Sequence, residues 1–252
     1  MIKIFPFLKY LEKEKKDILA CIGTYRDFEE GKFKLCETLL SPTSDNESGI
    51  ECVDYFARSP EGKNAGTETY VISAISGSDK MSRYLEDCMS AVVAGKNKKT
   101  GENISFLSHQ DPMKFLLKEM CKEQFIADFS EQLWNMKKLC RKGTIDAVFS
   151  GGSYILNESV PPQYWKEATE TRERYIQSIL LLSEIAEKIL GFEPFVITGP
   201  KMTARSDAIL YLNQYRHLYL VRPESGNITS EGYYPRNLKT QEQKWQTNNA
   251  RA

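Results

Sequence analysis

Two periods run through the chain, and the places where one gives way to the other set its elements. Two-residue alternation, the mark of a half-buried strand, is clean in Ile50-Glu51-Cys52-Val53-Asp54-Tyr55-Phe56. After a loop containing Ser59-Pro60-Glu61-Gly62, residues 67–75 have strong β character and end at Ser76-Gly77-Ser78-Asp79. Residues 89–95 form a short apolar run that reads as a buried strand, and the polar, glycine-containing stretch 96–103 turns it into a second strand over 104–109. The two form a hairpin, which Cys88 enters and His109 leaves. Residues 81–88 keep neither period and read as one or two helical turns or an irregular approach to the next strand.

Helical spacing takes over at Asp111-Pro112, where an acid suited to the cap precedes a proline suited to the first helical position. The stripe that follows contains Phe115, Leu116, Met120, Phe125, Phe129, Leu133, Met136 and Leu139. A second helix is predicted over about residues 165–190, with Tyr175, Ile179, Leu182, Ile185 and Ile189 on one side and Gly191 as its stop. Strands are expected at 145–150, running into Gly151-Gly152-Ser153, and at 195–198. A second hairpin pairs 208–212 with 217–221 across Asn213-Gln214-Tyr215-Arg216. The first 40 residues read as a helix followed by a strand or hairpin, and 41–49 as a loop. This order predicts one α/β (α+β) domain over 1–252, a mixed β-sheet or β-sandwich core flanked by helices. Residues 1–60 are expected to pack on that core as an N-terminal extension, and 230–252 to form a flexible tail.

Composition narrows the function classes. The 252 residues are 41% hydrophobic, enough for one sizeable core. Lys+Arg and Asp+Glu are equal at 34 each, so the chain lacks the dense basic balance of a nucleic-acid binder and no nucleic-acid partner is expected. No run approaches the roughly 20 apolar residues of a membrane helix, and the first residues lack the charge order and cleavage site of a secretory signal. A cytoplasmic protein without a membrane span is the expectation. The six cysteines form no CxxC pair, and only two histidines accompany them. A structural zinc site is therefore not expected, nor any other metal or cofactor, and most of the thiols should be reduced, buried small hydrophobes.

One cysteine has a partner. Antiparallel pairing across the first hairpin brings Cys88, at the start of one strand, beside His109, at the end of the other. A neighbouring imidazole lowers a thiol's pKa or takes its proton, which makes the pair a nucleophile and base. The other candidates carry less chemistry. Gly151-Gly152-Ser153 lacks the companions of a phosphate loop and reads as a tight turn, His217 reads as structural or surface, and Lys96, Lys98 and Lys99 as solvated.

The run Asp87-Cys88-Met89-Ser90-Ala91-Val92-Val93-Ala94, the turn with Thr100-Gly101, the strand ending in Ser108-His109, the helix after it, and Val148-Phe149-Ser150-Gly151-Gly152-Ser153 together resemble the chemoreceptor glutamine deamidase (CheD) pattern. That pattern is shared with the cytotoxic necrotising factor toxins, and the resemblance covers residues 67–222 as a deamidase-like core. It implies a cysteine glutamine deamidase, converting Gln to Glu on a protein substrate. Cys88 would be the nucleophile, and His109 the general base and then acid. Ser82, six positions before the cysteine, would orient the imidazole or contact the amide, and backbone N–H groups near Cys88 would stabilise the oxyanion. Within that reading Lys96, Lys98 and Lys99 could meet an acidic patch on the substrate. The segments outside 67–222 favour a bacterial toxin or effector, delivered to a host cytosol, over a chemotaxis enzyme. Two alternatives stay open: a cysteine peptidase or acyltransferase using the same pair, and a non-enzymatic interaction domain with Cys88 buried and inert.

Overall fold

A computed structural model of the chain describes residues 19–24, 49–54, 63–64, 69–85, 88–117, 119–150, 154–155, 160–197, 200–201 and 207–222. The described strands are β1 (Leu19–Thr24), β2 (Ile50–Cys52), β3 (Lys63–Asn64), β4 (Tyr70–Ile72), β5 (Asp79–Leu85), β6 (Met89–Lys96), β7 (Asn103–Gln110), β8 (Asp146–Ser150), β9 (Tyr154–Ile155), β10 (Phe195–Ile197), β11 (Pro200–Lys201), β12 (Asp207–Leu212) and β13 (His217–Arg222). The helices are α1 (Pro112–Phe115), α2 (Glu119–Leu139) and α3 (Trp165–Leu190), with a 3-10 turn at Pro162–Tyr164 leading into α3.

Two mixed sheets result. One runs β10-β8-β6-β7-β4-β3 and the other β1-β13-β12-β5-β2, with β9 and β11 forming a separate parallel pair. Within the first sheet β10 is parallel to β8 and the remaining pairs are antiparallel. Within the second, β1 is parallel to β13 and β2 to β5. The fold is thus α+β, and it has three layers because the six-stranded sheet is covered on both faces. Met89, Ala91 and Val93 of β6 join Phe106 of β7, Phe125, Phe129, Leu133 and Met136 of α2, and Tyr175, Ile179 and Leu182 of α3. Val92 and Ala94 of β6 point the other way, into a layer shared with Leu85 of β5, Ile209 and Tyr211 of β12, and Leu218 and Leu220 of β13. Burial on both faces explains why residues 89–95 are continuously apolar rather than alternating.

The helix layer is held by aromatic packing. Phe125 stands 4.7 Å from Phe115 and 5.6 Å from Phe129 between ring centroids, and Phe129 meets Phe106 and Phe149 edge-on at 5.9 and 6.2 Å. Removing one such ring costs about 3–5 kcal/mol. At the C-terminal ends, Lys137 Nζ of α2 donates to the Ile189 carbonyl of α3 at 2.5 Å, so the two helices run the same way. Gly191 closes α3 at φ +86°, its N–H donating to the Glu187 carbonyl, a left-handed position that glycine takes without a Cβ penalty.

Three sequence expectations are corrected here. Residues 81–85 form part of a strand and contain no helical turn. The register steps from Asp207↔Leu85 to Ile209↔Ser82, setting two residues of β5, Arg83 and Tyr84, against one of β12, Ala208. This bulge, with Tyr84 at φ +59°, breaks the alternation that marks a strand in sequence. The helix expected from Pro112 onward is divided. Asp111 does cap it, accepting from the Met113 N–H at 2.9 Å, but α1 ends at Phe115 and α2 begins at Glu119. The spacing across the break loses its meaning, and Met120 is 83% exposed although it falls on the apolar stripe. Finally, β2 is shorter than the alternation of 50–56: it ends at Cys52, and Asp54 lies in a bend. Tyr55, Phe56, the early helix and the tail after 230 lie outside the described residues.

Candidate active site

The site is assembled from both sheets. His109, on β7, lies directly opposite Ser90 of β6 and Val71 of β4. With Leu107 two residues earlier facing the layer between the sheets, strand alternation turns His109 into the same layer. From the other sheet Ser82 of β5 reaches it: Ser82 Oγ is 2.9 Å from His109 Nδ1. The same hydroxyl donates to the Val53 carbonyl at 2.8 Å, just beyond the end of β2.

The bulge in β5 makes this possible. Ser82 and Leu85 are three apart, and in a regular strand they would face opposite sides. The extra residue puts both into the inter-sheet layer, Leu85 in the apolar cluster and Ser82 against the imidazole.

The network also fixes the tautomer. A carbonyl oxygen only accepts, so the Ser82 hydroxyl proton is committed to Val53 and its oxygen must accept from Nδ1–H. In the neutral ring the basic lone pair then resides on Nε2. His109 is 1% exposed, and burial pushes its pKa from 6.5 down to about 4, against the opposing pull of the Asp54 charge and the Val53 carbonyl; Lys114 adds to the lowering. The imidazole is therefore neutral at pH 7 and available as a base. By this geometry it takes a proton when one is offered, instead of resting as an imidazolium beside a thiolate.

Cys88 immediately precedes β6 and belongs to the same inter-sheet cluster as Val53, Leu85, Val92 and Leu107. It is 8% exposed. Because Ser90 pairs with His109, Cys88, two residues earlier, is its diagonal neighbour on that face. Such diagonal neighbours are about 7–8 Å apart, a span that aromatic and long side chains bridge. The three residues singled out from the sequence, Ser82, Cys88 and His109, thus occupy one layer at one end of the sandwich.

Behind the Ser82–Val53 bond lie polar groups that the sequence does not announce. Asp54, 2% exposed, accepts from the Cys52 thiol, with Sγ to Oδ2 at 3.0 Å. Arg83 Nη2 lies 3.7 Å from the same carboxylate oxygen and 3.5 Å from Cys52 Sγ. The alternation of β2 and β5 signalled strands but not that they are parallel neighbours, which is what brings 52–54 beside 81–83.

Other sequence candidates lie elsewhere. Lys96, Lys98 and Lys99 are exposed in the turn at the far end of the β6–β7 hairpin, roughly 20 Å along the strands from His109 at about 3.4 Å per residue. They do not border Cys88. His217 opens β13 and is partly buried, with Nδ1 3.4 Å from Tyr219 Oη; burial lowers its pKa. It too belongs to the far end, next to the turn whose Asn213 bonds Asn103. Cys52, Cys88, Cys121 and Cys140 are buried. Gly151-Gly152-Ser153 and Glu86-Asp87 lie outside the described residues. Among the described residues no three His, Cys, Asp or Glu side chains gather as metal ligands, and no helix is long and apolar enough to cross a membrane. Comparison of the chain with protein-family models, curated proteins and solved structures finds no match.

Proposed function

We propose that the chain is a cysteine-dependent glutamine deamidase of the CheD and necrotising-factor type, acting on a protein substrate as a bacterial toxin or effector in a host cytosol. The observation that carries this reading is the Ser82–His109 hydrogen bond between the two sheets, with Cys88 on the same face as the imidazole. Ser82 bonds the imidazole, and Cys88 lies in the same inter-sheet layer.

Neutral His109 takes the Cys88 thiol proton, and the sulfur attacks the side-chain amide carbon of glutamine. The carbon–nitrogen bond of the tetrahedral adduct breaks as the imidazolium returns its proton to the departing nitrogen, releasing ammonia and leaving a thioester. Water, deprotonated by His109, attacks the thioester. The carbon–sulfur bond breaks, the thiol is regenerated, and glutamine has become glutamate. Ser82 and the Val53 carbonyl hold the Nδ1 edge throughout, keeping Nε2 as the proton carrier.

The test is alkylation of the native protein with iodoacetamide near pH 7, followed by peptide mapping, on wild type and His109→Gln. Faster labelling at Cys88 than at Cys52, Cys121 or Cys140, lost on removing His109, is expected; equal labelling sinks the reading. Incubation with host-cell extract should then yield Gln→Glu mass changes absent with Cys88→Ser. A cysteine peptidase or acyltransferase is the second reading, favoured by the pull of the Asp54 carboxylate on His109. Backbone cleavage in the same extract would select it.

A further inference from the structure

The outer partners of the His109 network have no part in the chemistry just described, yet Cys52 and Asp54 are buried and Arg83 is partly so. Val53, whose carbonyl accepts from Ser82, is followed at once by Asp54. That carboxylate is held by the Cys52 thiol at 3.0 Å and faced by the Arg83 guanidinium at 3.7 Å. Arg83 in turn follows Ser82 and sits on the bulge. Thus the two chain segments that hold the imidazole, 53 and 82, each continue into one member of an opposed charge pair.

We infer that Asp54 is a positioning residue for His109, fixing the Val53 carbonyl and stabilising the imidazolium formed during proton transfer, with Arg83 as the counter-charge that limits its strength. This deepens the proposed reading, since it assigns a control to the same base. Among the described residues, the other charged groups to account for on the elements near His109 are Lys114, Asp111 and Asp207. Lys114 follows it on α1 and is shared with Asp111 at 3.6 Å. Asp207 of β12 pairs across from Leu85, which faces the inter-sheet layer. Neither belongs to the strand end that bonds Ser82. The Asp54 charge is the largest influence opposing the burial of His109.

The full chain has only two histidines, His109 and His217, so NMR titration of carbon-13-labelled histidine reads the base directly, with His217→Gln assigning the signals. Arg83→Gln removes the counter-charge and should raise the His109 midpoint, by about one pH unit if the coupling is worth a tenfold change in protonation. Asp54→Asn should lower it and slow Cys88 alkylation and turnover about tenfold in kcat with KM little changed, while Asp54→Glu restores part of the loss. A His109 midpoint unmoved or lowered by Arg83→Gln overturns the inference, whether or not Asp54→Asn folds. A kcat in Asp54→Asn equal to wild type overturns it too. The underlying Cys–His reading fails by a different result: Cys88 alkylation indifferent to His109→Gln.

Discussion

The layer between the two sheets is polar at both ends, and the ends are built on opposite principles. At one end a histidine is buried against a serine and a backbone carbonyl. At the other, Arg216 is equally buried, but its guanidinium meets Asp146 Oδ2 at 2.8 Å, the Thr144 carbonyl at 3.0 Å and the Ala94 carbonyl at 3.4 Å. Beside it Asn213 takes the Asp79 carboxylate on its N–H at 2.7 Å and donates Nδ2 to the Gly77 and Asn103 carbonyls. These bonds tie the β12–β13 turn of one sheet to β6, β7 and β8 of the other. Arginine cannot shed its charge, so the fold sets a carboxylate and two carbonyls against its Nη2, and the result is a fixed clasp. Histidine can, and burial with modest compensation leaves it neutral and responsive. The same low polarizability of surroundings gives a lock in one case and a lever in the other, according to the titration range of the group.

If that contrast is right, the two ends fail differently. The largest effect belongs to the histidine end: Cys88→Ser and His109→Gln should each cut the proposed deamidation by roughly 10²–10⁴-fold, assayed as Gln→Glu conversion, with urea midpoints changed far less. At the clasp the order reverses. Arg216→Met leaves Asp146 as an uncompensated buried charge and should cost about 3–5 kcal/mol of unfolding free energy, measured by urea denaturation, with Cys88 reactivity kept wherever the protein stays folded. Adding Asp146→Leu should recover much of that loss, since replacing both partners removes the orphaned charge. Failure of the double variant to recover anything would mean that the clasp works through shape.

A pH series sharpens the contrast further. His109 binds a proton near pH 4 in the folded state but near 6.5 when unfolded. A lowered histidine pKa contributes stability that is present above 6.5 and lost as pH falls toward 4, because the unfolded chain binds the extra proton first. That loss should be about 3 kcal/mol for a shift of this size, seen as falling urea midpoints, and His109→Gln should flatten it between pH 6.5 and 5. The smallest expected effect tests packing near the clasp. A Cβ on Gly95 would stand 2.6 Å from Cys140 Sγ and 3.2 Å from Ile145 Cγ1. Gly95→Ala should therefore cost about 1–3 kcal/mol, with part of it returned by Cys140→Ala in a double-variant cycle.

Local pattern was enough for the elements whose chemistry is local. The β6–β7 hairpin, the Asp111-Pro112 cap, the span of α3 and its Gly191 stop all follow from residues a few positions apart. The pairing of Cys88 and His109 on one face came from hairpin register alone. The division into two sheets did not, because nothing in 79–85 announces that it joins β12 and β2 in place of its sequence neighbour β6. The bulge hid the strand altogether, since the extra residue disrupts the only signal a strand has. Val53, Asp54 and Arg83 were illegible for the same reason: they become neighbours through a parallel pairing between segments that lie about thirty residues apart in sequence. Ser82 was reached only through the resemblance to a known pattern, and the sheet contact that gives it work is long-range.

The bulge has one consequence of another kind. What keeps Ser82 and Leu85 on one face is that Arg83 and Tyr84 together stand opposite a single residue of β12. Deleting one of the two would remove the bulge and leave Ser82 two positions from Leu85, still on the same face of a now regular strand. A single-codon deletion at Tyr84 should therefore keep Ser82 against the imidazole, read as unchanged dependence of Cys88 alkylation on His109. The bulge holds one residue that the strand can lose without turning its site-facing side chain.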